Sequence, residues 1–211
     1  DNKIPSKFNG NIAIITGGAG KIGSAIAKKF LNEGLEVIIL DKNLKNLNNE
    51  IKNQCECFEC DLTSNTQVSK VLSKILNLFG GIDILISNSG AAYQGGMKDI
   101  DKKIIQESME TNFFSHHNII QKVANIMITQ GMGGSISINL SKQSINPGKN
   151  FGPYGIAKAS ALFLMKQYAL EFGKYNIRVN GVNADRIKSG ILTDKIISQR
   201  AKARNISSSK Y

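Results

Sequence analysis

Six short apolar runs alternate along this chain with longer stretches of helical spacing, and that alternation restricts the fold more than any other feature. The runs cover residues 11–16 (NIAIIT), 37–40 (VIIL), 57–61, 82–87 (IDILIS), 135–140 (SISINL) and 177–182. Each reads as a buried strand. Between them, residues 21–33 (KIGSAIAKKFLNE) carry apolar residues at helical spacing. In residues 66–79 the stripe is sharper, with Val68, Val71, Leu72, Ile75, Leu76 and Phe79 on one face. Residues 44–53 are a polar link expected to be helical, and 107–130 and 154–175 are expected to be two long helices. Strands alternating with helices imply βαβ units and a parallel sheet covered on both faces. The expected fold class is α/β, with a doubly wound sheet. No repeat, low-complexity tract or linker breaks the pattern, so residues 1–211 are read as a single domain.

Composition narrows the class. With 41% hydrophobic and 20% charged residues in 211, the chain has enough apolar material for one sizeable core and is not disordered. No apolar run approaches the ~18 residues of a membrane span, and residues 1–10 have no apolar leader core. The sequence does not open on Met, which suits a processed start or a segment of something longer. Its 27 basic and 16 acidic residues give +11. The basic residues are spread out, with no run of five. They read as a Lys-rich solvated surface or an attraction for an anionic ligand, and no nucleic-acid partner is expected; such a partner would give salt-sensitive retention on DNA. Cys55, Cys57 and Cys60 are odd in number and clustered, which argues against a disulfide framework and for a reducing, cytoplasmic setting. No fourth ligand stands nearby, so they are expected to pack the third strand rather than bind metal. His116 and His117 are expected on a helix surface or interface. Phe113, Phe114, Ile119, Ile120 and Val123 are expected in the core or an interface, and Leu162, Phe163, Met165 and Leu170 on a buried helix face.

Four constellations carry chemistry. Thr16-Gly17-Gly18-Ala19-Gly20-Lys21-Ile22-Gly23 follows a strand and opens a helix. Glycines there permit a tight turn and close backbone approach, and the helix N-terminus offers free N–H groups to a pyrophosphate; such turns also serve packing alone. Asp41 ends the second strand. A carboxylate there accepts both ribose hydroxyls of an adenosine and repels a 2′-phosphate, or it caps a helix. Lys21 and Lys42 complicate the choice, and NAD is favoured over NADP. Asn88-Ser89-Gly90-Ala91 stands past the fourth strand, where small residues leave room for a cofactor or merely turn the chain. Tyr154 and Lys158, at i and i+4, share a helix face. A cation ~4 Å from a phenol contributes about 4 kcal/mol at a dielectric near 20, roughly three pKa units before desolvation. That would bring the phenol towards working pH; the alternative is an ordinary surface pair.

Together TGGAGKIG, Asp41, Asp61, Asn88-Ser89-Gly90-Ala91, Asn112, Ser141 and Tyr154-x-x-x-Lys158 resemble the short-chain dehydrogenase/reductase family, in order and spacing, over residues 11 to about 183. The resemblance implies a Rossmann-type three-layer α/β/α fold and an NAD(P)-dependent oxidoreductase acting on a small alcohol or carbonyl compound. It makes Tyr154 the acid/base, Lys158 the group that binds the nicotinamide ribose and lowers the tyrosine pKa, Ser141 the substrate-orienting hydroxyl, and Asn112 the holder of a relay water. It assigns the cofactor to Gly17, Gly20, Lys21, Ile22, Gly23, Asp41, Asp61, Leu62, Asn88, Ser89 and Gly90, with Tyr154 and Lys158. Asp61 would contact the adenine. It also implies a homodimer or homotetramer built on the two long helices.

A narrower likeness lies further on. Asn183-Ala184-Asp185 and the following ILTDKIISQRAKAR resemble the dehydrogenase half of bifunctional aldolase/short-chain dehydrogenase proteins of the rhamnulose-phosphate aldolase/lactaldehyde dehydrogenase kind. That implies a hydroxy-aldehyde or sugar-derived substrate. Two departures stand out. Lys21 occupies the family's second glycine position, giving the Gly17-x-x-Gly20-x-x-Gly23 spacing of the epimerase-like branch. The chain stops where family members continue through another helix and a seventh strand. The rival readings are a non-catalytic dinucleotide-binding scaffold and a sugar-nucleotide epimerase-like enzyme.

Overall fold

A computed structural model of the chain describes residues 11–185, 187, 194–202 and 205–210. Residues 191–193 and 203–204 of the ILTDKIISQRAKAR stretch therefore lie outside the described residues. Six strands, β1 (Ile12–Thr16), β2 (Glu36–Asp41), β3 (Glu56–Glu59), β4 (Ile84–Ser87), β5 (Gly134–Asn139) and β6 (Ile177–Val182), form one sheet in the order β3-β2-β1-β4-β5-β6. Every pairing is parallel; Ile14 of β1, for example, stands between Ile38 and Leu85.

The helices are α1 (Lys21–Asn32), α2 (Asn49–Lys52), α3 (Asn65–Phe79), α4 (Lys102–Met109), α5 (Ser115–Gln130), α6 (Gly152–Phe172) and α7 (Asp194–Lys202). Successive side chains of a strand point to opposite faces, so the unbroken IAII of β1 feeds two cores. Ile12 and Ile14 pack with α3, α5 and α6 through Leu72, Ile75, Ile120 and Ala161. Ile15 packs on the other face with Ala27 of α1 and Ile51 of α2. Each fully buried isoleucine contributes about 1.5–3 kcal/mol, and the double coverage explains why these strands are continuously apolar. The three-layer Rossmann-type sheet is thus as expected. Its strand order reverses between β1 and β4, so a crevice opens there beyond the carboxyl ends of the strands.

Several boundaries differ from the sequence reading. The link over 44–53 is mostly turn, and only Asn49–Lys52 is helical. Asn43 Oδ1 accepts from Lys45 N and Asn48 Oδ1 from Glu50 N, local bonds that compete with a helix. The helix expected from 107 begins at Lys102, because Asp101 caps it by accepting from Lys103 N at 2.8 Å. It then passes through a π-turn, Glu110–Phe114, into α5.

The expected buried face of α6 is corrected. Of the four residues expected there, Leu162 and Met165 pack against the core, but Phe163 and Leu170 are 69% and 78% exposed, and Ala157, Ala161 and Tyr168 face inward. This helix is apolar on several sides, so its spacing does not say which side meets the sheet. Ile119, Ile120 and Val123 are core residues; Phe113 packs against that core, and Phe114 is 44% exposed.

Candidate active site

The carboxyl ends of β1, β4 and β5 are laced together by side chains. Thr16 Oγ1 accepts from the backbone N–H groups of Asn88 and Ser89 at 2.9 and 3.1 Å. Asn88 Nδ2 donates to Thr16 O, and Asn139 Nδ2 donates to Asn88 Oδ1 at 2.8 Å. Gly17 then turns the chain at φ +63°, with any Cβ only 3.0 Å from Ser89 Cα. A Cβ on Gly23 would stand 2.3 Å from Gly17 O, so the third glycine lets α1 close on the turn. Gly20 precedes α1 without a side-chain cap. The first helical bond runs from Ser24 N to Gly20 O, which leaves the N–H groups of Lys21, Ile22 and Gly23 ahead of the ladder. This end of α1 thus presents free backbone donors and a positive helix end to the cleft, of the kind that suits an anionic group, and Lys21 lines the cleft beside it.

Asp41 ends β2 beside this turn. Its Oδ2 accepts from Ala19 N at 3.0 Å and its Oδ1 from Asn43 N at 3.1 Å. Lys42 pairs with Asp61 at 2.8 Å, and Asp61 also accepts from Thr63 Oγ1. The Lys42 ammonium holds the Asp61 carboxyl below the usual carboxylate range. Asn118 Nδ2 anchors the next residue by donating to Leu62 O.

The other end of the site, where the candidate catalytic residues fall, is built on α6 and the π-turn. Tyr154 and Lys158 are both buried. Lys158 Nζ donates to Asn139 O at 2.8 Å, stands 3.3 Å from His116 Nε2, and lies 5.9 Å from the Tyr154 ring centre. Burial pushes Lys158 down to about 7. The expected lowering of the tyrosine by Lys158 is not what this arrangement gives. Burial pushes the Tyr154 phenol up, and the opposing influence comes from the Ser141 hydroxyl. The reason is geometric: the ammonium is directed to the Asn139 carbonyl and the imidazole rather than to the phenol oxygen.

Asn112 sits in the π-turn, wholly buried. Its Oδ1 accepts from Ala91 N, and its Nδ2 donates to Ala91 O at 2.9 Å and to Ser108 O at 3.2 Å. A Cβ on Gly90 would meet Asn112 Oδ1 at 2.8 Å, so Gly90 admits this contact. Ser141, also buried, accepts from Gln143 N and so caps a single turn, Lys142–Ser144.

A cleft of about 700 Å³ joins the two ends. The turn lines it with Gly17, Gly20, Lys21 and Ile22, and β2 and β3 bring Asp41, Asp61 and Leu62. The end of β4 adds Asn88, Ser89 and Gly90, and α6 adds Tyr154 and Lys158. Of the expected site residues, Gly23, Asn112 and Ser141 stand outside the lining; the first two act from behind it.

Sequence reasoning missed His116. It is not on the surface but fully buried, bonded to Ser87 and Lys158. Its spacing of four from Asn112 was the available signal. His117 is half-buried and bonded to Tyr168 at 2.6 Å. The cysteines behave as packing groups: Cys55 and Cys57 pack against the α1-side core and Cys60 lies in the other, and burial pushes the Cys55 and Cys60 thiols up to about 12 and about 11.

The model of the short chain dehydrogenase family matches residues 11–199. The chain belongs to this family. Its relatives include the 7alpha-hydroxysteroid dehydrogenase of Escherichia coli (strain K12), 32% identical over 200 residues that cover 91% of this chain and 75% of that protein. The uncharacterized oxidoreductase YuxG of Bacillus subtilis (strain 168) is 31% identical over 193 residues, 88% of this chain but 28% of that protein. Among solved structures, an NAD+-bound xylitol dehydrogenase superposes with a TM-score of 0.85 at 27% identity, covering 93% of this chain and 78% of that one. A short-chain dehydrogenase/reductase from Mycobacterium marinum gives 0.84 at 27% identity, covering 92% and 79%. As a short-chain dehydrogenase, the chain is an oxidoreductase of CH–OH groups that uses a nicotinamide dinucleotide. Among the described residues no helix is long and apolar enough to cross a membrane.

Proposed function

We propose that the chain acts as one dinucleotide-binding domain that moves hydride between NAD and a small hydroxylated substrate, with Tyr154 as its proton donor and acceptor. The observation that carries this reading is that one cleft has Asp41 at one end and Tyr154 with Lys158 at the other. The cofactor fits: the uncapped start of α1 suits a pyrophosphate, and Asp41 suits a ribose diol. A second carboxylate oxygen acceptor at that point disfavours a 2′-phosphate, and the Lys42 charge is already paired with Asp61, which supports NAD over NADP.

When bound, the nicotinamide supplies or accepts the hydride. The chain's own residues handle position and the proton. Ser141, poised beside Tyr154, orients the substrate oxygen. Tyr154 passes a proton to that oxygen during carbonyl reduction and takes it back during alcohol oxidation. Lys158 holds the nicotinamide ribose and, as a cation 5.9 Å from the Tyr154 ring, adds positive charge behind it, while Ser141 is the group that opposes burial at the phenol. Asn112 fixes the backbone at Ala91, which lines the cleft beside Gly90. We read the substrate as a hydroxy-aldehyde, polyol or sugar-derived compound. The resemblance around Asn183–Asp185 and the polar Gln94 and Thr111 in the cleft lining support this.

The test is turnover of NAD+ with a panel of small polyols, hydroxy-aldehydes and secondary alcohols. At least one should be oxidised, and Tyr154→Phe should lower kcat by about 10²–10⁴ while sparing NADH binding. Turnover retained in Tyr154→Phe contradicts the role. No turnover in the wild type with intact NADH binding favours a scaffold instead.

A further inference from the structure

His116 places a titratable ring directly behind Lys158, and nothing in the roles above uses it. Its Nε2 lies 3.3 Å from Lys158 Nζ and its Nδ1 2.7 Å from Ser87 Oγ. An ammonium has donors only, so Nε2 accepts. The neutral imidazole then carries its proton on Nδ1, and Ser87 Oγ accepts it. The ring is thereby held at both nitrogens in a site closed to water.

We propose that His116 is a positioning residue: its imidazole, braced by Ser87, is the second acceptor that holds the Lys158 ammonium at the back of the cleft and favours its charged form. The inference rests on the reading of Lys158 as the partner of Tyr154. A buried lysine with too few acceptors sheds its proton, and a neutral amine cannot assist a phenol. The Asn139 carbonyl and the imidazole are the two acceptors that oppose this loss. Burial, with the Lys158 charge alongside, holds His116 well below the usual imidazole range, which keeps the ring neutral and free to accept at one nitrogen. Among the described residues, Tyr154 reaches the pair from α6, the Ser87 hydroxyl from β4 and the Asn139 carbonyl from β5, and the Asn112 amide lies across Gly90 from Lys158 Nζ; of these only Tyr154 titrates.

The test follows Lys158 in the cofactor-free chain by NMR, with lysine labelled at the ε-carbon and the signal assigned through Lys158→Arg. The double variant His116→Leu with Ser87→Ala removes both members of the buried bond, so neither is stranded. It should lower the Lys158 midpoint by about one pH unit, and His116→Gln, which restores an amide acceptor, should recover most of that shift. An unchanged midpoint in the folded double variant overturns the proposal. If that variant does not fold, labelled-histidine spectra of the wild type at about pH 6 decide: a proton on Nδ1 is expected, and a proton on Nε2 overturns it. Turnover of the alcohol panel by Tyr154→Phe separates the two levels. Turnover surviving there sinks the underlying reading, whereas an unshifted Lys158 midpoint sinks only the role of His116.

Discussion

Asp41 shows how one side chain serves two purposes. Its carboxylate ties the glycine turn to the end of β2 through Ala19 N, and it lines the cleft, where the proposed function gives it an adenosine ribose. Asp41→Ala should therefore weaken NADH binding and narrow the NADH-over-NADPH preference by about tenfold, roughly 1.4 kcal/mol, measured by calorimetry of both nucleotides. An unchanged preference would assign the discrimination to another residue. Single residues were unevenly legible. The glycines, Asp41, Tyr154 and Lys158 stood out because a turn, a strand end and an i,i+4 pair fix where such groups fall. His116 did not, because a histidine pair on a helix says nothing of which ring turns inward. Nor did spacing reveal that burial would outweigh the lysine at Tyr154, since desolvation depends on everything packed around the phenol.

The helical rod from Lys102 to Gln130 backs the Tyr154 and Lys158 end of the cleft. Its π-turn carries Asn112, and its start is pinned by Asp101. A π-turn inserts a local change of register and often marks a functional site; no periodicity in the sequence announces it. Asp101→Ala should cost about 1 kcal/mol of stability, read from urea unfolding. A change within error would mean that the cap is redundant with Ile104 N bonding to Asp101 O. Strands were the best-read elements, because a fully buried parallel strand is apolar on both faces. Helix α6 is legible in extent but only half legible in orientation, with Leu162 and Met165 on the core and Phe163 and Leu170 exposed, since its apolar residues surround it.

The whole molecule pays attention to pH through its buried groups. Lys158 titrates near about 7 when folded, against 10.5 when exposed. Between those values the unfolded chain binds a proton that the folded chain does not, so stability rises with pH there. His116, held low, adds the same sign at its acid edge. The raised thiols of Cys55 and Cys60 act oppositely above about 9, where the unfolded chain loses protons first. Urea unfolding of the cofactor-free chain should therefore show stability climbing from about pH 6.5 to about 8.5, by up to about 1.4 kcal/mol per pH unit for one group, and turning down above about 9, where two thiols outweigh one lysine. A flat or falling profile between about pH 6.5 and about 8.5 would contradict the buried lysine. The measurement that tests the account most directly is a calorimetric titration of the chain with NADH and, separately, NADPH. Tight NADH binding with NADPH weaker by at least about tenfold is the predicted result. Binding of neither nucleotide, or tighter binding of NADPH, would contradict it.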